Sequence, residues 1–263
     1  MLRALIPVLV GLVLGIVVNI LADVLPQFRL RDENEELETP PTSEDEAKVS
    51  ESQKPIEWFS VARLLSARYL TVIILFIAVA LYLWQTESTI VFTVIKVLYV
   101  ALFTLIAVID IEHRLVLTVI MIPAFILALI EIIISRRIFL ADALVGYAVA
   151  QLIQMAFYLL GGIYLMIINA RRDEPLREIA FGFGDVTLAT FCGMVIGYPN
   201  VLTMLILMVL IGGLMGFVYL IIRLVITRKY QAHMAIPYGP AIVIATALVL
   251  VWGPQITTML LNR

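Results

Sequence analysis

Two aspartates, Asp110 and Asp185, each stand at the edge of a long apolar run. Asp110 closes "LYVALFTLIAVID", and Asp185 follows a glycine pair in "AFGFGDVTLATF". An ionisable side chain in a membrane span costs about 2.5–3.5 kcal/mol on insertion scales, so each needs a reason to be there. Two carboxylates brought close together cannot both ionise, so one keeps its proton near neutral pH. The ionised partner can take a proton from water while the protonated one donates to a carbonyl oxygen or a leaving nitrogen. That chemistry is aspartic peptide hydrolysis, which needs no metal, no cofactor and no covalent intermediate. The competing reading of Asp185 is a helix cap, because Asp at a helix start accepts backbone N–H bonds. Ser or Thr would cap equally well without a charge. Capping also leaves Gly182 and Gly184 unexplained. Two glycines around Phe183 predict a backbone that bends sharply, or that an extended substrate strand approaches closely.

The elements that must position these groups are membrane helices. Of 263 residues, 62% are hydrophobic and only 14% charged, and mean hydropathy is +1.05. A soluble domain averages about 45–50% apolar and about 25% charged, so a soluble core is excluded. Apolar runs long enough to span a bilayer of about 30 Å recur from end to end. The sequence therefore predicts an all-α, polytopic integral membrane protein with about eight spans. They fall near 4–25, 67–84, 91–110, 115–134, 140–168, 185–199, 201–223 and 236–260. The first run follows a single Arg and lacks a small-residue cleavage site, so it reads as a retained helix and not a signal peptide. Residues 1–26 are read as this first helix, 27–60 as an acidic loop and 61–263 as a seven-helix catalytic membrane domain. The loop contains "RDENEELETPPTSEDEAKVSESQKP" and has almost nothing to bury, which is a disorder signature.

Basic residues set the orientation. With the N-terminus outside, thirteen of the 18 Lys and Arg fall on the cytoplasmic side, leaving Arg3, Lys96, Arg136, Arg137 and Arg263. Asp110 and Asp185 then both face the cytoplasm. The remaining intramembrane acids have quieter explanations. Glu131 and Asp142 flank the turn that holds Arg136 and Arg137 and are expected to form ion pairs there. Asp23, beside "LP", reads as a helix-end or interface residue. His113 reads as an interface histidine beside Arg114. Glycines four apart, at 11 and 15, 193 and 197, and 212 and 216, predict close helix crossings. The single cysteine, Cys192, lies in an apolar run, so it reads as packing and rules out a disulfide framework within the chain.

These residues resemble a known family. "FGFGDVTLATFCGMVIGYP" is similar to the GxGD signature of the bacterial type IV prepilin leader peptidases. "GLVLGIVVNILADVLP" resembles the family's first helix, "LSARYLTVIILFIAVALYLW" its second, and "LIAVIDIEHRLV" the segment with its first catalytic aspartate. "IPYGPAIVIATALVL" resembles its last helix. The matches run in the family's order across nearly the whole chain except residues 27–60. The resemblance implies a catalytic dyad of Asp110 and Asp185, with Gly182 and Gly184 shaping the site. It implies prepilin or pseudopilin precursors as partners, cut after a short basic leader at the cytoplasmic face of the inner membrane. No nucleic acid and no cofactor are implied. Many members carry two CxxC pairs in the first cytoplasmic loop; here that loop is cysteine-free, so no metal is expected. Bifunctional members also methylate the new N-terminus, and the sequence leaves that second activity open. Leu117 and Thr118 replace a common Pro-Asp or Pro-Asn, and Thr187 replaces a common Lys. The competing class is a proton-coupled carrier using the same two carboxylates, which would place them at the midplane with broken helices in both halves.

Overall fold

The computed structural model describes residues 2–35, 66–86, 89–135, 137–170, 182–227 and 237–261. Among them the chain forms eight α-helices and no strand, one at each expected span. They are α1 (Leu2–Glu35), α2 (Ala67–Thr86), α3 (Ile90–His113), α4 (Thr118–Ser135), α5 (Leu140–Asn169), α6 (Phe183–Ile196), α7 (Asn200–Thr227) and α8 (Gly239–Leu261). Six of them contain stretches long and apolar enough to cross a membrane, while α6 and the Gly239–Gly253 part of α8 are shorter. The outward faces are apolar: Ile74, Val119, Ile133, Leu152 and Met166 are 65–77% exposed. Exposed apolar surface on that scale is what a lipid solvent requires. This is a multi-pass membrane protein.

The chain divides into two compact units, Met1–Leu115 and Val116–Arg263. In the first, α1 packs against α2 and α3, and α2 against α3. The α1–α2 crossing is built on missing side chains. A Cβ on Gly11 would stand 2.7 Å from Ile77 Cα, and one on Gly15 would stand 2.8 Å from Ile73 Cα. Between helices in lipid there is little hydrophobic drive, so such close backbone approach supplies the attraction through dispersion. Asn19, fully buried one turn on, donates from Nδ2 to Gly15 O at 2.8 Å and to Tyr69 O at 3.5 Å.

Helix α1 runs past residue 26, where the sequence suggested it would stop. Pro26 lies inside it. Proline removes one intrahelical donor and usually breaks a helix. Here the side chain of Gln27 donates from Nε2 to the Asp23 carbonyl at 2.8 Å, adding a bond beside the missing one. The rest of the acidic segment, residues 36–60, lies outside the described residues.

The second unit surrounds α6, which contacts α4, α5, α7 and α8. Its residues from Leu188 to Ile196 are all buried. Against α5 the approach is again of bare backbone. A Cβ on Gly146 would lie 2.4 Å from Gly193 O, and one on Gly193 would lie 2.6 Å from Ala150 Cβ. Gly197, at φ 75, closes α6 in the left-handed region that glycine adopts without penalty. The third glycine pair behaves differently: Gly212 leaves room for a ring, since its Cβ would meet Tyr238 Cε2 at 2.1 Å.

The expected ion pair forms at Glu131, whose Oε1 accepts from Arg137 Nε at 3.2 Å and from Ser135 Oγ at 2.9 Å. Arg137 also donates to Val195 O at 2.6 Å, at the end of α6. For Asp142 the expected partner Arg136 lies outside the described residues; Asp142 sits in the first turn of α5, where its negative charge meets the positive end of the helix dipole. Its carbonyl accepts the Tyr198 N–H at 2.9 Å. Cys192 is fully buried, as packing required.

Two glycines of α5 make the packing argument testable. Gly146→Ala, forced against the Gly193 carbonyl, is expected to cost about 1–3 kcal/mol. Gly162→Ala, with nothing within 4 Å of its Cβ, should be neutral or stabilising. Thermal unfolding of the two variants in one detergent would separate them.

Candidate active site

Asp110 belongs to the first unit and Asp185 to the second. Asp110 lies in the last turn of α3 and is 4% exposed, below Ile106 and Ile109 at 2% and 1%. Its carbonyl accepts the N–H of Arg114 at 2.9 Å. Arg114 adopts the left-handed conformation (φ 56, ψ 39), so α3 ends in a single αL cap on Asp110 itself. The turn after the aspartate is therefore fixed backbone. His113 and Arg114 are both exposed.

Asp185 sits in the first turn of α6, although not where a simple cap would. The helix starts at Phe183 with Gly182 as its N-cap, which places Asp185 at the third helical position. Two reciprocal bonds close this turn: the Asp185 N–H donates to Gly182 O at 3.1 Å, and the Gly182 N–H donates to Asp185 Oδ2 at 3.3 Å. This is the carboxylate half of a capping box, with glycine in place of the usual hydroxyl residue. The Asp185 Oδ2 is thereby engaged with the residue just before the helix.

The two glycines separate. Gly184 is a helical residue pressed against the segment between α3 and α4: a Cβ there would meet Val116 Cβ at 2.8 Å. Close approach is its reason, and the neighbour is this chain's own valine. Gly182 has φ −80 and ψ 148, which any residue adopts, and its Cβ would meet Asp185 Oδ2 at 3.6 Å and Gly184 N at 4.0 Å, both ordinary contacts. The sharp bend expected at Phe183 is an ordinary helix start. Phe183 is 57% exposed and meets Tyr158 of α5 edge-on at 6.0 Å. Thr187 donates back to Phe183 O at 3.2 Å.

One neighbour of Asp185 escaped the sequence reading. Tyr238, just before α8, has its phenol pushed up first by burial and then by the charge of Asp185. Its ring fills the notch at Gly212 and its hydroxyl donates to Met208 O at 3.2 Å. The signal was present in the "IPYGP" segment and the bare Gly212, but nothing in the sequence joins residues that far apart. Among the described residues no three of His, Cys, Asp or Glu converge as ligands of a metal would.

If Gly184 is held by contact and Gly182 is not, their substitutions diverge. Gly184→Ala is expected to lower the unfolding free energy by about 1–3 kcal/mol. Gly182→Ser, a good N-cap, should leave it unchanged or raise it slightly. Thermal unfolding of both variants would check this.

Residues 97–221 match the model of a family described as the type IV leader peptidase family. A prepilin leader peptidase/N-methyltransferase of Aeromonas hydrophila is 30% identical over 121 residues, covering 46% of this chain and 35% of that protein. The protein of the same name from Aeromonas salmonicida (strain A449) is 29% identical over 120 residues, covering 46% and 34%. The match thus spans about a third of the length of these curated relatives. No solved structure matches the chain.

Proposed function

Residues 97–221 of this chain belong to the type IV leader peptidase family, and from that premise we propose that the protein is a membrane aspartic endopeptidase. Its substrates are prepilin-like precursors, from which it removes the short basic leader at the cytoplasmic face of the bacterial inner membrane. The observation that carries this reading is that Asp110, Asp185 and the Gly182–Gly184 bracket all fall inside the matched residues.

The chemistry assigns a role to each carboxylate. Asp185, in the first turn of α6, is assigned the ionised role and takes a proton from the attacking water. Asp110, at the end of α3, is assigned the protonated role, since two carboxylates brought together share one proton. It hydrogen-bonds the scissile carbonyl as the oxyanion forms. The proton taken by Asp185 then passes to the leaving nitrogen and the C–N bond breaks as the oxyanion collapses, which leaves Asp185 ionised and Asp110 protonated as at the start. Gly184 sets the seat of α6 against Val116, and Gly182 holds the aspartate's Oδ2. Phe183 offers an exposed apolar surface to the hydrophobic helix of the precursor. The cytoplasmic orientation rests on the distribution of Lys and Arg, and residues 61–263 carry the catalytic domain.

The deciding experiment is leader cleavage by membranes carrying the full chain, using a prepilin-like precursor. Asp110→Asn and Asp185→Asn at matched expression are each expected to lose roughly a hundred- to ten-thousandfold in rate. Cleavage that survives both substitutions would overturn the dyad. A wild type that cuts nothing while moving protons across vesicles would establish a carrier instead.

A further inference from the structure

One side chain ties together three helix ends in the first unit. Arg68, at the start of α2, donates from Nη2 to Asp23 Oδ1 on α1 at 2.5 Å and from Nη1 to Glu112 Oε2 on α3 at 2.5 Å. The Tyr69 hydroxyl donates to the other Asp23 oxygen at 2.5 Å, and the Arg68 guanidinium lies 4.8 Å from the centre of the Tyr69 ring. Asp23 is thus more than a helix-end residue. It is the fixed post to which Arg68 is fastened, its own carbonyl held by Gln27.

Glu112 is the informative end of this network. It stands two residues after Asp110, and residues two apart on a helix point to nearly opposite sides. The exposures agree: Asp110 is buried at 4%, while the Glu112 side chain is 35% exposed. A helix end turns as a rigid body, so a hold on Glu112 from one side fixes the direction in which Asp110 points on the other. Ion pairs part-open to water add little to stability. What this one adds is geometry, because a planar guanidinium can bridge two carboxylates on different helices and a lysine ammonium cannot do so in a fixed fork.

We propose that Arg68, through Asp23 and Glu112, is a positioning residue that sets the orientation of the α3 end carrying Asp110. The inference rests on the reading of Asp110 as a catalytic residue. It adds a requirement that neither the motif nor the dyad contains: α1, which bears no catalytic group in that reading, must be docked for α3 to be correctly set.

The test measures leader cleavage by the full chain in proteoliposomes, with kcat and KM determined separately and thermal unfolding followed alongside. Arg68→Ala is expected to lower kcat by roughly ten- to a hundredfold, as small misplacements of catalytic groups do, with KM unchanged. Arg68→Lys should restore only part of that loss. Glu112→Gln should lower kcat less, and the double variant should be no slower than Arg68→Ala alone, since both changes remove one linkage. Glu112→Gln leaves the Asp23 pair in place, so it remains informative if Arg68→Ala does not fold. Wild-type kcat in Arg68→Ala or Glu112→Gln, or additive losses in the double variant, would overturn the proposal while leaving the peptidase reading intact. A kcat loss no larger than that of Gly146→Ala at equal thermal destabilisation would also overturn it. Absence of cleavage by the wild type would instead remove the peptidase reading, and this inference with it.

Discussion

A Cβ on Gly146 would stand 2.4 Å from the carbonyl of Gly193, and the second unit depends on that closeness. In lipid two helices gain nothing by merely hiding apolar side chains from their surroundings. They adhere where small residues let backbones touch and dispersion accumulate. Gly146, Ala150 and Gly193 make that contact between α5 and α6. With α4, α7 and α8 on its remaining sides, α6 becomes the axis of the unit. Asp185 stands in the first turn of this axis, so the position of the carboxylate follows from the packing of the best-buried helix in the chain.

The first unit solves the same problem with the same device and then adds charge. Gly11 and Gly15 bring α1 onto α2 at backbone distance, and the polar ends of the helices are joined by Arg68. The two steps are complementary. Glycine contacts fix how close two helices lie but allow sliding and rotation. A forked ion pair supplies little attraction but restricts both.

Much of this was legible in the sequence because membrane helices announce themselves. All eight elements occur where apolar runs stand, and Asp110 and Asp185 were found by the cost of a carboxylate among such runs. The glycine spacing at 11 and 15 and at 193 and 197 gave the two main crossings, since the rule behind it concerns only one helix face. The readings that shifted depend on partners that spacing cannot supply. Pro26 would end most helices, yet α1 continues to Glu35. Asp185 looked like a cap from its place after "GFG", but the helix starts two residues earlier and the capping position is Gly182. Gly212 looked like a helix crossing and holds the Tyr238 ring. Asp23 looked like a helix-end residue and is fastened to Arg68, 45 residues away.

The lengths of α5 and α6 carry a last consequence. At 1.5 Å per residue, the 30 residues of α5 reach about 45 Å, while the 14 of α6 reach about 21 Å. A bilayer core of about 30 Å suits neither. The mismatch is distributed unequally, because α5 exposes a broad apolar face and α6 almost none. Lipids therefore press on α5, which can tilt to meet a thicker or thinner membrane. Enclosed by protein, α6 is shielded from that adjustment. The surroundings of Asp185 are thereby insulated from membrane thickness.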